Sequence, residues 1–177
     1  MQPAANTMLK ASVLSPCLWD ASSVINHDEF IYLRPMKVII LNGPNINLVG
    51  SREIGVYGNK GIDEFLSYLQ MAYPSVQIIH RQSNVEGELI NFLQEFRSGN
   101  NGIIFNPGGY THTSIAIGDA VKSMEVPVIE VHLSKIFARE SFRHTSYVSP
   151  HCDGVISGFG WAGYEMALLS LTGALMK

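Results

Sequence analysis

At 177 residues, 46% hydrophobic and 15% charged, the chain is long enough for one globular domain with a substantial core. Its net charge of -3 gives no electrostatic footprint for nucleic acid or an anionic membrane, and no apolar run reaches the roughly 18 residues that would span a bilayer. The two cysteines, Cys17 and Cys152, lack the spacing of a metal site or a disulfide framework, which points to a reduced, cytoplasmic setting.

Residues 1–35 show no regular periodicity and read as an N-terminal extension, disordered or non-native, ahead of a single domain over 36–177. The apolar run Val13-Leu14 is too short for a secretory signal, and Asp20, Asp28 and Glu29 argue against a transit peptide. From Met36 on, strand and helix signals alternate. A strand over 37–41 leads into a long segment rich in asparagine and glycine, Leu41 to Gly58, which is too polar to be core and reads as a lid or binding loop. A helix over 62–73 follows, with Ile62, Phe65, Leu66 and Leu69 on one face, stopped by Pro74-Ser75. Next come a strand over 76–80 and a helix over 85–97, for which Asn84 is the expected N-cap. A strand over 102–105 ends in the turn Asn106-Pro107-Gly108-Gly109, ahead of a helix over 113–124 capped by Thr113 or Ser114. Strands over 127–131 and 155–157 and a closing helix over 162–175 complete the order.

Five strands alternating with helices predict an α/β fold, a three-layer doubly wound sheet of parallel strands. The short unalternating runs Val38-Ile39-Ile40, Ile103-Ile104-Phe105 and Val128-Ile129 fit burial on both sheet faces. Ligands of such sheets bind outside the carboxyl ends of the strands. The loops after the first, third and fourth of the main strands carry the unusual residues.

The first loop holds Asn45, Arg52 and Tyr57. A loop tyrosine is ordinarily a surface cap; it acts as a base near neutral pH only if a cation stabilises its phenolate, and an arginine is always charged. After the third strand, Asn106 offers an amide that both donates and accepts. His112 follows in a glycine-rich loop, where a hydrogen bond to a small polar ligand competes with a purely structural role. After the fourth, Glu130 and His132 stand two apart and face one side, so the carboxylate can favour a protonated imidazole acting as general acid. The backbone of Leu133 and Ser134 follows directly and suits a carboxylate. Arg139 and Arg143, four apart on a helical turn, would share a face beside the cleft, and Asp119 points toward a possible subunit interface. There is no phosphate-loop motif, no dinucleotide fingerprint and no metal-ligand spacing, and Cys152 reads as structural.

Together the runs Leu41-Asn42-Gly43-Pro44-Asn45, Arg52-Glu53 with Tyr57-Gly58, Arg81-Gln82-Ser83-Asn84, Asn106 to Ser114, Ile129-Glu130-Val131-His132 and Arg139-Glu140-Ser141-Phe142-Arg143-His144 resemble the type II 3-dehydroquinate dehydratases of the shikimate and quinate pathways. The resemblance spans about 36–176. It implies a flavodoxin-like fold, a homododecamer of four trimers, and anti elimination of water from 3-dehydroquinate through an enolate, with no metal or cofactor. It also implies roles. Tyr57 would be the base, kept ionised by Arg52, with Arg139 assisting in the closed lid. Asn45 would hold a water on the enolate, and His132 on Glu130 would protonate the leaving hydroxyl. Asn106, Leu133 and Ser134 would bind the carboxylate, His112 and Arg143 the ring hydroxyls, and Asp119 would arrive from a neighbouring subunit.

Two positions depart from the family pattern: Lys135 stands where asparagine is common, and Ile54-Gly55 replaces a proline after Glu53. The first would alter charge near the carboxylate site, the second lid mobility. The competing readings are a different lyase or isomerase working through an enolate, and a flavin- or nucleotide-binding module of flavodoxin type, which a flavin absorbance would reveal.

Overall fold

The computed structural model describes residues 36–50 and 61–173. Five strands, β1 (Met36–Asn42), β2 (Val76–Gln82), β3 (Gly102–Asn106), β4 (Val128–His132) and β5 (Gly154–Ser157), form one sheet in the order β2-β1-β3-β4-β5. Every pairing is parallel. This is the doubly wound flavodoxin-like arrangement, in which the direction of winding reverses between β1 and β3 and opens a crevice at their carboxyl ends.

Among the described residues, four helices cover the two faces: α1 (Ile62–Ala72), α2 (Glu86–Glu95), α3 (Ile115–Lys122) and α4 (Ala162–Leu171). Side chains alternate along each strand, so each strand feeds two cores. Val38, Ile40, Ile104, Ile129 and Val131 pack with Phe65 and Leu69 of α1 and with Tyr164, Ala167 and Leu168 of α4. Ile39, Leu41, Ile103, Phe105 and Val128 pack with Leu89 and Leu93 of α2 and with Ile117 and Val121 of α3. Burial on both faces is why residues 38–41 of β1, 103–105 of β3 and 128–129 of β4 read as apolar runs without alternation.

Three local expectations are corrected. Asn84 does not cap α2: Val85 occupies that position, its N–H is accepted by Ser83 Oγ at 2.9 Å, and the Asn84 carboxamide accepts the Asn45 N–H instead. The helix after β3 starts later than expected, because a 3-10 turn over Gly108–His112 comes first. Ser114, not Thr113, is its cap, accepting the Ile117 N–H at 2.9 Å. Arg139 and Arg143 do not share one helical turn, since extended residues Arg139 and Glu140 separate the 3-10 turns Ile136–Ala138 and Ser141–His144. The Phe142 ring beneath the Arg143 guanidinium, 5.0 Å away, holds that arginine where helical spacing does not.

Candidate active site

At the carboxyl ends of β1, β3 and β4, the loops over 43–50, 107–114 and 133–143 surround a polar cavity of about 260 Å³. The β1 and β3 loops are pressed together there. Gly43 N–H donates to the Asn106 carbonyl at 2.7 Å, and a Cβ at Gly43 would stand 2.5 Å from the Pro107 carbonyl oxygen. Only glycine permits that approach.

His132, the last residue of β4, lines the cavity with only 6% of its surface exposed, and its Nε2 lies 2.7 Å from Glu130 Oε1. Glu130 is fully buried, and three hydroxyl or imidazole donors meet its two oxygens: His132 and Thr111 on Oε1, Ser149 on Oε2. Burial pushes this carboxyl up, but the His132 hydrogen bond and charge, with the Ser149 and Thr111 hydroxyls, outweigh it and hold Glu130 below the usual carboxylate range. An ionised carboxylate only accepts, so Nε2 carries a proton and donates. The remaining nitrogen, Nδ1, has no hydrogen bond among the described residues. Every buried side-chain nitrogen and oxygen there is partnered, so Nδ1 is open to the cavity. That is the geometry of a general acid: one nitrogen tethered to an anion, the other facing a reactant.

His112 stacks against His132, their ring centres 6.4 Å apart. Its Nδ1 donates to the Thr145 carbonyl at 2.7 Å, which orients the ring and leaves Nε2 for a further partner. Asn106, at the end of β3, is 2% exposed. Its Oδ1 accepts the Gly108 N–H at 3.1 Å and its Nδ2 donates to the Tyr164 hydroxyl at 2.9 Å, leaving one N–H for a ligand. Tyr164 donates onward to Asn42 Oδ1 at 2.7 Å, and Asn42 Nδ2 meets His80 Nε2 at 3.1 Å. Burial raises the Tyr164 phenol well above its ordinary value, so this tyrosine is a neutral strut and not a base.

Arg139 and Arg143 both line the cavity and converge on Glu140, which Arg143 Nε meets at 2.8 Å and Arg139 Nε at 3.7 Å. Both guanidiniums thus stand at the mouth of the cavity, where they favour an anionic ligand.

Of the sequence-predicted site residues, Asn45, Asn106, His112, His132, Leu133, Ser134, Arg139 and Arg143 line this one cavity, and Glu130 supports it from behind. Arg52 and Tyr57 lie outside the described residues, as does Ile54-Gly55. Asp119 is exposed on α3 and does not line the cavity. Lys135 lines a separate apolar cavity, so its charge does not join the lining of the polar one. Cys152 is a free thiol whose pKa burial pushes to about 12, in keeping with a structural role. Sequence reasoning missed Thr111, Ser149, Asn42 and Tyr164. The available signal was Tyr164 itself, a tyrosine on the inward face of a helix, whose hydroxyl must find a buried partner. Among the described residues no group of three or more His, Cys, Asp or Glu side chains has the arrangement of a metal site, and no helix is long and apolar enough to cross a membrane.

A family model described as dehydroquinase class II matches residues 36–172. The 3-dehydroquinate dehydratase of Clostridium perfringens is 49% identical over 139 residues, covering 77% of this chain and 95% of that protein. That of Fusobacterium nucleatum is 46% identical over 142 residues, covering 77% and 96%. The crystal structure of the type II dehydroquinase of Butyrivibrio crossotus superposes with a TM-score of 0.74 at 42% identity, over 77% of this chain and 97% of that one. A motif order, a sheet order and a whole-domain match thus agree, and the chain belongs to the class II dehydroquinase family.

Proposed function

We propose that this protein dehydrates 3-dehydroquinate to 3-dehydroshikimate as a hydro-lyase of the shikimate or quinate route. The observation that carries the reading is His132 tethered to a buried, ionised Glu130 at the wall of a cavity with arginines at its mouth, in a chain of this family.

In the proposed sequence, Tyr57, ionised beside Arg52, takes a proton from the carbon next to the ketone. The electron pair moves onto the carbonyl oxygen, and the resulting enolate is stabilised by a water that Asn45 holds. The enolate then re-forms the ketone and expels the hydroxyl from the opposite face. His132 gives that hydroxyl its proton, so water leaves and a conjugated enone remains. The spare Asn106 N–H, with the backbone at Leu133 and Ser134, binds the substrate carboxylate, while His112 and Arg143 hold ring hydroxyls. Acid and base each supply on the order of 10²–10⁴-fold, and preorganised donors around the enolate about 3–4 kcal/mol.

Further parts of the reading concern assembly. Exposed Phe137, Val155, Phe159 and Met166 line an apolar cavity of about 1030 Å³ along the β5 edge, and Arg143 and Ile136 belong to both cavities. An apolar surface of this kind supports packing of copies against one another; the reading takes the assembly as a cytoplasmic homododecamer in which Asp119 of a neighbouring copy brings a substrate contact. The flavin- or nucleotide-binding alternative gains no support from the family match. Mixing the protein with 3-dehydroquinate and a chelator tests the function: the ultraviolet absorbance of a conjugated enone should grow. Its absence at any protein concentration contradicts the reading.

A further inference from the structure

The run Arg81-Gln82-Ser83-Asn84 is among the motifs that carry the family likeness, yet no step above uses it. Its place in the fold gives it a task. Asn45 has φ 69° and is the one non-glycine residue with a positive φ among the described residues. Asparagine tolerates this left-handed conformation better than most residues but does not adopt it without support.

The support comes from the end of β2. Asn84 Oδ1 accepts the Asn45 N–H at 3.0 Å. The same oxygen accepts Gln82 Nε2 at 3.2 Å, and Gln82 Nε2 lies 3.4 Å from the Gly43 carbonyl. The Asn84 carbonyl in turn accepts the Tyr110 hydroxyl at 3.0 Å, which ties it to the β3 loop. The turn at Asn45 is therefore clamped between two walls, the β3 loop beneath Gly43 and the Gln82–Asn84 carboxamides beside it.

We propose that Asn84, braced by Gln82, is a positioning residue that holds the left-handed turn at Asn45 and so sets the carboxamide that holds the enolate-stabilising water. This rests on the role given to Asn45 above. Asn84 touches no reacting atom; it acts through Asn45. Its side chain is exposed, so altering it leaves both buried cores intact.

Removing the acceptor in Asn84→Ala lowers kcat by on the order of 10- to 100-fold with KM near the wild-type value, the size of effect that a misplaced positioning group produces. Asn84→Asp, which keeps an accepting oxygen, restores most of that loss. In an Asn45→Ala background, Asn84→Ala produces little further change, because the group it positions is already gone. Three results overturn the inference: wild-type kcat in Asn84→Ala, no rescue by Asn84→Asp, or an undiminished loss on top of Asn45→Ala. A readout without substrate separates this from the assigned reaction. Hydrogen exchange at the Asn45 amide should be faster in Asn84→Ala than in the wild type, and an unchanged rate overturns the brace whether or not 3-dehydroquinate is the substrate. A wild-type protein inactive on 3-dehydroquinate overturns the reaction and leaves that exchange result standing.

Discussion

His132 and Glu130 are two apart on one strand, and strand alternation alone sets them side by side. The hydroxyl partners of Glu130 come from turns 19 residues away on either side, at Thr111 and Ser149, and local sequence gives no sign of them. Tyr164 was hidden for the same reason: its bond to Asn42 closes a separation of 122 residues. The consequences are measurable. His132→Ala should lower kcat by about 10²–10⁴-fold with KM little changed, as steady-state kinetics would read it. Tyr164→Phe leaves the buried Asn42 and Asn106 amides short of a partner; it should cost about 1–3 kcal/mol in urea denaturation and raise KM through Asn106. Equal stability and KM in that variant would remove the strut.

Among elements, the strands were the most legible, since a strand buried on both faces is largely apolar. Helix ends were less so. Asn84 has the chemistry of an N-cap, but its oxygen is taken by the orphan N–H of a left-handed residue from another loop, a competition that propensity does not see. The arginine-bearing segment failed for a related reason: its two 3-10 turns are tied to other elements, at Ile136 N–H to Ser157 Oγ and at the Thr145 carbonyl to His112 Nδ1, and follow no apolar period. The tight contact between the β1 and β3 loops yields a prediction at this scale. Gly43→Ala drives a methyl into the Pro107 carbonyl, so the loops must part, and both melting temperature and kcat should fall. A variant with unchanged kcat would show that the loop contact does not set the site.

For the whole molecule, alternation of strands and helices was enough to give the three-layer sheet, and the loops at its carboxyl edge gave most of the cavity. Two of the proposed groups, Arg52 and Tyr57, lie outside the described residues, and Asp119 does not line the cavity of its own chain. Stability should weaken in acid for a stated reason. Burial holds His80 below its ordinary 6.5, against a smaller upward pull from Asp63, and its neutral Nε2 accepts from Asn42. A folded-state pKa below the unfolded one gives stability that is present above pH 6.5 and lost as the pH falls through the folded value. Glu130 adds a second loss of the same sign, beginning below its ordinary 4.5. Urea midpoints measured down the pH scale should therefore fall in two stages, and His80→Gln should abolish the first. A His80→Gln variant that keeps the full first-stage loss would exclude His80 as its source. If copies pack as proposed, light scattering should report a dodecamer, and Asp119→Ala should raise KM; a fully active monomer would contradict both.

The proposed division of labour between Tyr57 as base and His132 as acid is tested most directly by following 3-dehydroquinate in deuterated water by proton NMR. His132→Ala should exchange the proton beside the ketone faster than the enzyme-free control while forming little enone, because the base remains and the acid is gone. Tyr57→Phe should show neither exchange nor enone above the control. Exchange that persists in Tyr57→Phe, or enone formed at the wild-type rate in His132→Ala, would contradict the account.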